Sequence, residues 1–218
     1  MKTLTKEIQD TMSPITAIEL LKEGNKRFIN NLKLNRNLLQ QANETSDGQH
    51  PFAVILSCID SRTSAEIIFD QGLGDIFSIR IAGNIINDDI LGSMEFGCKV
   101  AGAKMIVVLG HTKCGAVKGA CDNVEMGNLT KLIQKIRPAV DGETTVKENR
   151  NAKNDEFVEK VSTLNVKNTV RGIIEKSTIL SEMISSGNIG IVGATHDITT
   201  GHVHFYDDTM IIKGLKKK

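Results

Sequence analysis

Cys58-Ile59-Asp60-Ser61-Arg62 and His111-Thr112-Lys113-Cys114 place two thiols, an imidazole and a carboxylate in two short segments of one chain. Soft sulfur and imidazole donors in this combination suit zinc, with the carboxylate either a fourth ligand or a neighbour of the metal. Cys58 and Asp60 are two residues apart, so on extended backbone their side chains emerge on one side. His111 and Cys114 are three apart where a strand gives way to a helix, so both face one point. Gly110 and Gly115 bracket that pair and permit a tight turn with close backbone approach. A helix starting near Gly115 brings its positive dipole end close to the thiols and favours their ionised form. A strand-end cysteine alone is more often a small core residue, and a lone histidine a satisfied polar group. The pair of pairs carries the metal reading.

Each segment follows an apolar run of strand length. Ala53-Val54-Ile55-Leu56-Ser57 leads into Cys58, and Met105-Ile106-Val107-Val108-Leu109-Gly110 leads into His111. Such runs read as buried strands. As parallel neighbours, they bring all four groups to the carboxyl edge of one sheet, where open α/β folds place their active sites. Ile76 to Ile81 is a further strand, and Ile189 to Ala194 another. Asp197 to Gly201 reads as a turn, and His202 to Tyr206 alternates like an edge strand.

The spacing predicts a helix over 17–31, capped by Ser13 or Thr16 with Pro14 just inside. A polar stretch from Asn35 to Pro51 follows. Asp88 to Ala101 is helical in pattern, weakened by Gly92 and Gly97. Residues 128–140 and 155–186 are also helical, with the polar 141–153 segment as an exposed connection. Lys216-Lys217-Lys218 reads as a solvated tail. Strands alternating with helices, without an internal repeat, predict a single domain with a mainly parallel sheet.

Composition removes several function classes. At 218 residues the chain is long enough for one ordinary core, and 27 basic residues against 26 acidic ones create no global field toward nucleic acid or anionic lipid. Aromatic residues make up 4%, too few for a base-stacking platform. No apolar run approaches the roughly 20 residues of a membrane span, and residues 1–16 carry charges without an apolar block. Four cysteines, two of them in the ligand pattern, do not form a disulfide framework. A reducing cytoplasm is the expected location, with neither nucleic acid nor membrane as partner.

The two ligand segments resemble those of the β-class carbonic anhydrases. The similarity continues through Glu66, Gly74-Asp75-Ile76-Phe77, Arg80-Ile81-Ala82-Gly83-Asn84, Ser93-Met94-Glu95-Phe96 and Gly193-Ala194-Thr195-His196-Asp197, spanning about Gln49 to Phe205. The resemblance implies an α/β fold with a central, mainly parallel sheet flanked by helices, and N-terminal helices that pack on a partner subunit. It divides the chain into a helical arm (1–48), a catalytic core (49–206) and a tail (207–218).

It further implies one Zn2+ per subunit on Cys58, His111 and Cys114, whose bound hydroxide hydrates carbon dioxide reversibly to bicarbonate and a proton. Arg62 would hold Asp60 off the metal to accept the hydroxide's hydrogen bond. Asp60 would become the fourth ligand only in a closed state. Gln49, Phe77, Ala82, Phe96 and Gly115 fall at substrate-pocket positions, with Phe96 replacing a common tyrosine and Gln49 serving the neighbouring subunit of a homodimer or tetramer. The family's regulated branch has a second bicarbonate pocket of tryptophan, arginine and tyrosine. Ile55, Arg80 and His196 stand at those positions, so the resemblance implies the constitutively open type. His50 is either a proton shuttle or a solvent-facing loop residue. Cys98 and Cys121 are expected in or near the core, and His202 and His204 in solvent. Two other readings keep the same fold: hydrolysis of carbon disulfide or carbonyl sulfide, and noncatalytic binding of zinc or bicarbonate.

Overall fold

The computed structural model describes residues 3–214. Five strands form one sheet in the order β2-β1-β3-β4-β5: β1 (Ala53–Ser57), β2 (Ile76–Arg80), β3 (Met105–His111), β4 (Gly190–His196) and β5 (Val203–Phe205). The first four are parallel and β5 runs antiparallel on β4. Among the described residues, ten α-helices surround it: α1 (Lys6–Thr11), α2 (Pro14–Ile29), α3 (Leu38–Glu44), α4 (Ala65–Ile68), α5 (Asp88–Glu95), α6 (Gly115–Cys121), α7 (Gly127–Ile133), α8 (Arg137–Gly142), α9 (Asp155–Lys176) and α10 (Thr178–Ser186). None of the described helices is long and apolar enough to cross a membrane. Lys216, Lys217 and Lys218 lie outside the described residues.

Alternation along the strands divides the core into two layers. Ala53, Ile55, Val107, Leu109, Val192 and Ala194 face α2 and α4 on one side. Val54, Leu56, Ile106, Val108 and Ile191 face α5, α9 and α10 on the other. A third cluster, from α6, α8 and the start of α9, closes over Cys58 and Cys114. The chain thus covers both faces of its own sheet, which is why β1 and β3 are uniformly apolar rather than half polar.

Several sequence expectations need correction. The polar stretch before β1 contains α3, capped by the Asn37 side chain. The cap of α2 is Ser13, which accepts from the Thr16 N–H. This helix buries Ala17, Ile18 and Leu21 against its own sheet and leaves other apolar side chains, among them Ile15 and Leu20, exposed. The 88–101 helix is α only to Glu95 and continues as a π turn over Phe96–Val100. Gly97 sits there because a Cβ would lie 2.7 Å from Val54 Cγ2 and 3.3 Å from Phe77. The 128–140 segment breaks into α7 and α8, and the 155–186 segment into α9 and α10 at Ser177, whose hydroxyl caps the second. The 141–153 connection is largely exposed but ordered. Arg150 donates to the carbonyls of Val140, Glu143 and Val146 and stacks 4.6 Å from the Phe157 ring centre.

The N-terminal arm is fastened by charge. Asp70 is buried and pairs with Arg27 of α2 and with Arg36, each at 2.5 Å. Burial alone would raise the Asp70 carboxyl, but the two guanidinium groups outweigh it and hold it below its ordinary value. Stability from this lowered pKa is complete above the ordinary carboxylate range and fades as pH falls through the folded-state value. Asp70→Ala, which strands Arg36 in the interior, is expected to cost about 3 kcal/mol in urea unfolding at pH 7. A loss under about 1 kcal/mol would show that the arm is held by packing alone.

Candidate metal centre

The register of β1 on β3 sets Ser57 opposite Leu109, so Cys58 and His111 leave the sheet at nearly the same level. Among the described residues, Cys58, His111 and Cys114 each offer a ligand atom within 4.8 Å of the others, and all three are buried. Cys58 Sγ and Cys114 Sγ are 4.0 Å apart.

The donor chemistry fits a soft divalent metal. His111 Nδ1 lies 2.9 Å from the Thr112 carbonyl, which makes it the protonated nitrogen and leaves Nε2 as a lone-pair donor. That Nε2 is buried without a hydrogen-bond partner. The two sulfurs share one proton: the hydrogen bond from Cys114 pulls the Cys58 thiol down to about 4, and the resulting thiolate pushes Cys114 up. A metal cation held by these residues would take the place of that proton and stabilise both thiolates. Cys98 and Cys121 are buried too, and burial pushes them up to about 12 and about 11. They are inert thiols, as expected of core residues.

Asp60 stands at the rim of this cluster. Arg62 donates from Nε to Oδ1 at 2.9 Å and from Nη2 to Oδ2 at 2.8 Å, and its backbone N–H also reaches Oδ1 at 3.0 Å. The Arg62 guanidinium therefore holds the carboxyl well below the usual carboxylate range. Asp60 Oδ2 remains 4.0 Å from His111 Nε2. An ionised acceptor is thus fixed beside the ligands but turned toward its arginine.

Backbone groups complete the surroundings. Gly83 N–H points at Cys58 Sγ at 3.4 Å, and Asn165 of α9 donates to the Gly83 carbonyl at 2.8 Å. Arg80 holds the Cys58 and Asp60 carbonyls at 3.0 and 2.7 Å. Ile55 is buried in the core and His196 is buried with neither ring nitrogen bonded, so Arg80 serves the loop of Cys58 rather than a pocket with those two. Burial lowers His196 to about 4, keeping it neutral. The turn between His111 and Cys114 is made by Lys113, at φ 57°, not by its flanking glycines. Gly110 is instead required by packing, since a Cβ there would lie 2.6 Å from Val166 of α9.

The remaining sequence candidates divide between two places. Ala82 lies next to Gly83, and Gly115 is exposed directly after Cys114, so both adjoin the cluster. Gln49 and His50 precede β1 at the opposite edge of the sheet, separated from Cys58 by roughly 17 Å of strand. Phe77 lies opposite Val54, three residues before the end of β2, and packs edge-on against the exposed Phe96 at 6.2 Å. These four are not brought to the cluster of their own chain. His202 and His204 are exposed. Asn165 and the Gly83 N–H escape sequence reading because each belongs to an ordinary helix or loop pattern and acts only through the fold.

The sequence matches the carbonic anhydrase family model over residues 53–203. Carbonic anhydrase 2 of Mycobacterium tuberculosis is 36% identical, with 89% of this chain and 94% of that protein aligned. The carbonic anhydrase of Mycolicibacterium smegmatis is 33% identical over 88% of this chain and 92% of its own. Among solved structures, the β-carbonic anhydrase CafA of Aspergillus fumigatus superimposes with a TM-score of 0.67 at 28% identity, covering 78% of this chain and 81% of that one.

Gly83 has φ 69°, and a Cβ there would lie 2.6 Å from Ile136 and 3.3 Å from Ala116. Gly83→Ala is expected to lower stability by about 2 kcal/mol, read from the urea midpoint at unchanged slope. A variant as stable as the parent would mean that this loop has an unstrained alternative.

Proposed function

Because this chain belongs to the β-class carbonic anhydrases, we propose that it interconverts carbon dioxide and bicarbonate with one zinc ion held by Cys58, His111 and Cys114. The observation that carries this reading is the combination of a three-donor cluster with a carboxylate held beside it by Arg62. A structural zinc site takes four protein ligands, whereas a catalytic one takes three and leaves a position for water or substrate. Zinc bound there supplies the Lewis acidity that makes water nucleophilic near neutral pH.

The chain's own residues do the rest. Asp60, ionised by its contact with Arg62, accepts a hydrogen bond from the attacking water and aims its lone pair at the carbon of carbon dioxide. Arg62 occupies both carboxylate oxygens, so Asp60 does not complete the ligand set, which is the open type. Ala82 and Gly115 line the near side, with the Gly115 N–H available to a substrate oxygen. Two anionic sulfurs cancel the dication, a weaker acidifying environment than neutral imidazoles would give. Activity is therefore expected to climb between pH 6 and pH 9. Asp60 is ionised across that range and is not the group that sets the climb.

Gln49, Phe77 and Phe96 reach substrate only from a second copy, so the working unit is a homodimer in which each chain completes its neighbour's pocket. Ile8, Ile15, Leu20, Leu32 and Leu38 of the arm are exposed apolar residues available to that contact. The four free cysteines accord with a reducing cytoplasm.

Metal analysis and stopped-flow carbon dioxide hydration test the proposal together. One zinc per chain is expected, with kcat/KM rising from pH 6 to pH 9 and Asp60→Asn losing about 100-fold or more. Equal activity in Asp60→Asn would overturn the role of the dyad, and a profile flat down to pH 6 would overturn the pH argument. Turnover of carbon disulfide or carbonyl sulfide without carbon dioxide hydration would reassign the substrate. Zinc binding without any turnover would make this a noncatalytic binding protein.

A further inference from the structure

The His111–Cys114 turn carries its strain at a residue unsuited to it. Lys113 has φ 57°, a left-handed conformation that a side chain with Cβ disfavours. All three polar groups of its neighbour Thr112 are anchored: the N–H donates to the His196 carbonyl, Oγ1 accepts from the Ile198 N–H, and the carbonyl accepts from His111 Nδ1. The Lys113 N–H itself donates to Glu159 Oε1 of α9 at 2.7 Å. Glu159 lies 46 residues from Lys113 in sequence, and Asn165, on the same helix, holds the Gly83 loop on the other side of Cys58. Burial raises the Glu159 carboxyl, so placing it there costs solvation that the hydrogen bond offsets.

We propose that Glu159 is a positioning residue for the metal centre: its carboxylate holds the left-handed Lys113 peptide and thereby fixes His111 and Cys114 at ligand spacing before the metal arrives. The inference rests on the zinc reading above. Without the acceptor, Lys113 relaxes toward right-handed backbone, and Cys114 shifts relative to His111. Groups that orient metal ligands from outside typically change metal affinity by about 10- to 100-fold when removed.

The test is zinc release from the loaded protein to a chromophoric chelator, with the charge-transfer spectrum of the cobalt(II)-substituted protein as a second readout. Glu159→Ala is expected to release zinc about 10-fold faster or more and to shift the thiolate-to-cobalt bands. Glu159→Gln keeps a neutral acceptor at the same reach and is expected to stay within about threefold of the parent. Glu159→Asp keeps the charge but withdraws the oxygen by one methylene, so it should release zinc faster than Glu159→Gln. This comparison stands even if Glu159→Ala does not fold. Parental release rates and spectra in both Ala and Asp variants would overturn the proposal. So would a Gln variant as fast as Ala, because charge rather than positioning would then be responsible. Parent protein that binds no zinc overturns the functional reading itself, whereas zinc-binding parent with unaffected variants overturns only the role of Glu159.

Discussion

The parallel pairing of β1 with β3, with Ser57 opposite Leu109, governs where every other part of the centre must go. A shift of one residue would turn Cys58 to the opposite face and exchange Val54 and Leu56 for Ala53 and Ile55 in the two core layers. Those layers are packed by different helices, so the register is enforced by the whole interior. The ligand spacing is therefore a by-product of core burial. The chain spends hydrophobic free energy to hold two thiols and an imidazole at distances their own polarity would oppose.

From that edge outward, order is transferred by hydrogen bonds rather than by packing. Arg80 reaches from β2 to the carbonyls of Cys58 and Asp60, and Arg62 fixes the carboxylate from its own loop. Glu159 and Asn165 extend the same support from α9 to the Lys113 and Gly83 peptides. The Arg80 and Glu159 contacts are charge-assisted and go to backbone, so they place main chain without demanding a particular neighbouring side chain. Side-chain chemistry at the centre is thereby limited to a few residues.

What could be seen in the sequence follows from this division. The buried strands β1 and β3 start where their apolar runs start, at Ala53 and Met105, whereas β4 continues two residues past Ala194 to His196. Cys58, Asp60, Arg62, His111 and Cys114 are legible because their types are chemically unusual at strand ends. The π turn at Phe96–Val100 is invisible since its residues still look helical, and the tight fit of Gly97 against Val54 depends on contacts remote in sequence. The helix α3 is hidden in polar residues, its buried Gln41 bonding the Leu73 N–H rather than joining an apolar stripe. Lys113 is the most instructive miss: two glycines flank the turn, yet the left-handed residue is the lysine between them, made tolerable by a partner far away in sequence.

The connection around Arg150 shows a second way for a cation to organise backbone. Three carbonyls converge on its guanidinium, and the Phe157 ring closes one face, much as oxygen ligands and a wall enclose a dissolved ion. Here the cation is part of the polymer, so its local concentration never changes and no chelator can remove it. On the zinc reading, the molecule has one cation-ordered region governed by supply from outside and another fixed at translation. Scarcity of metal would reach the first and leave the second, and the helices it joins, in place.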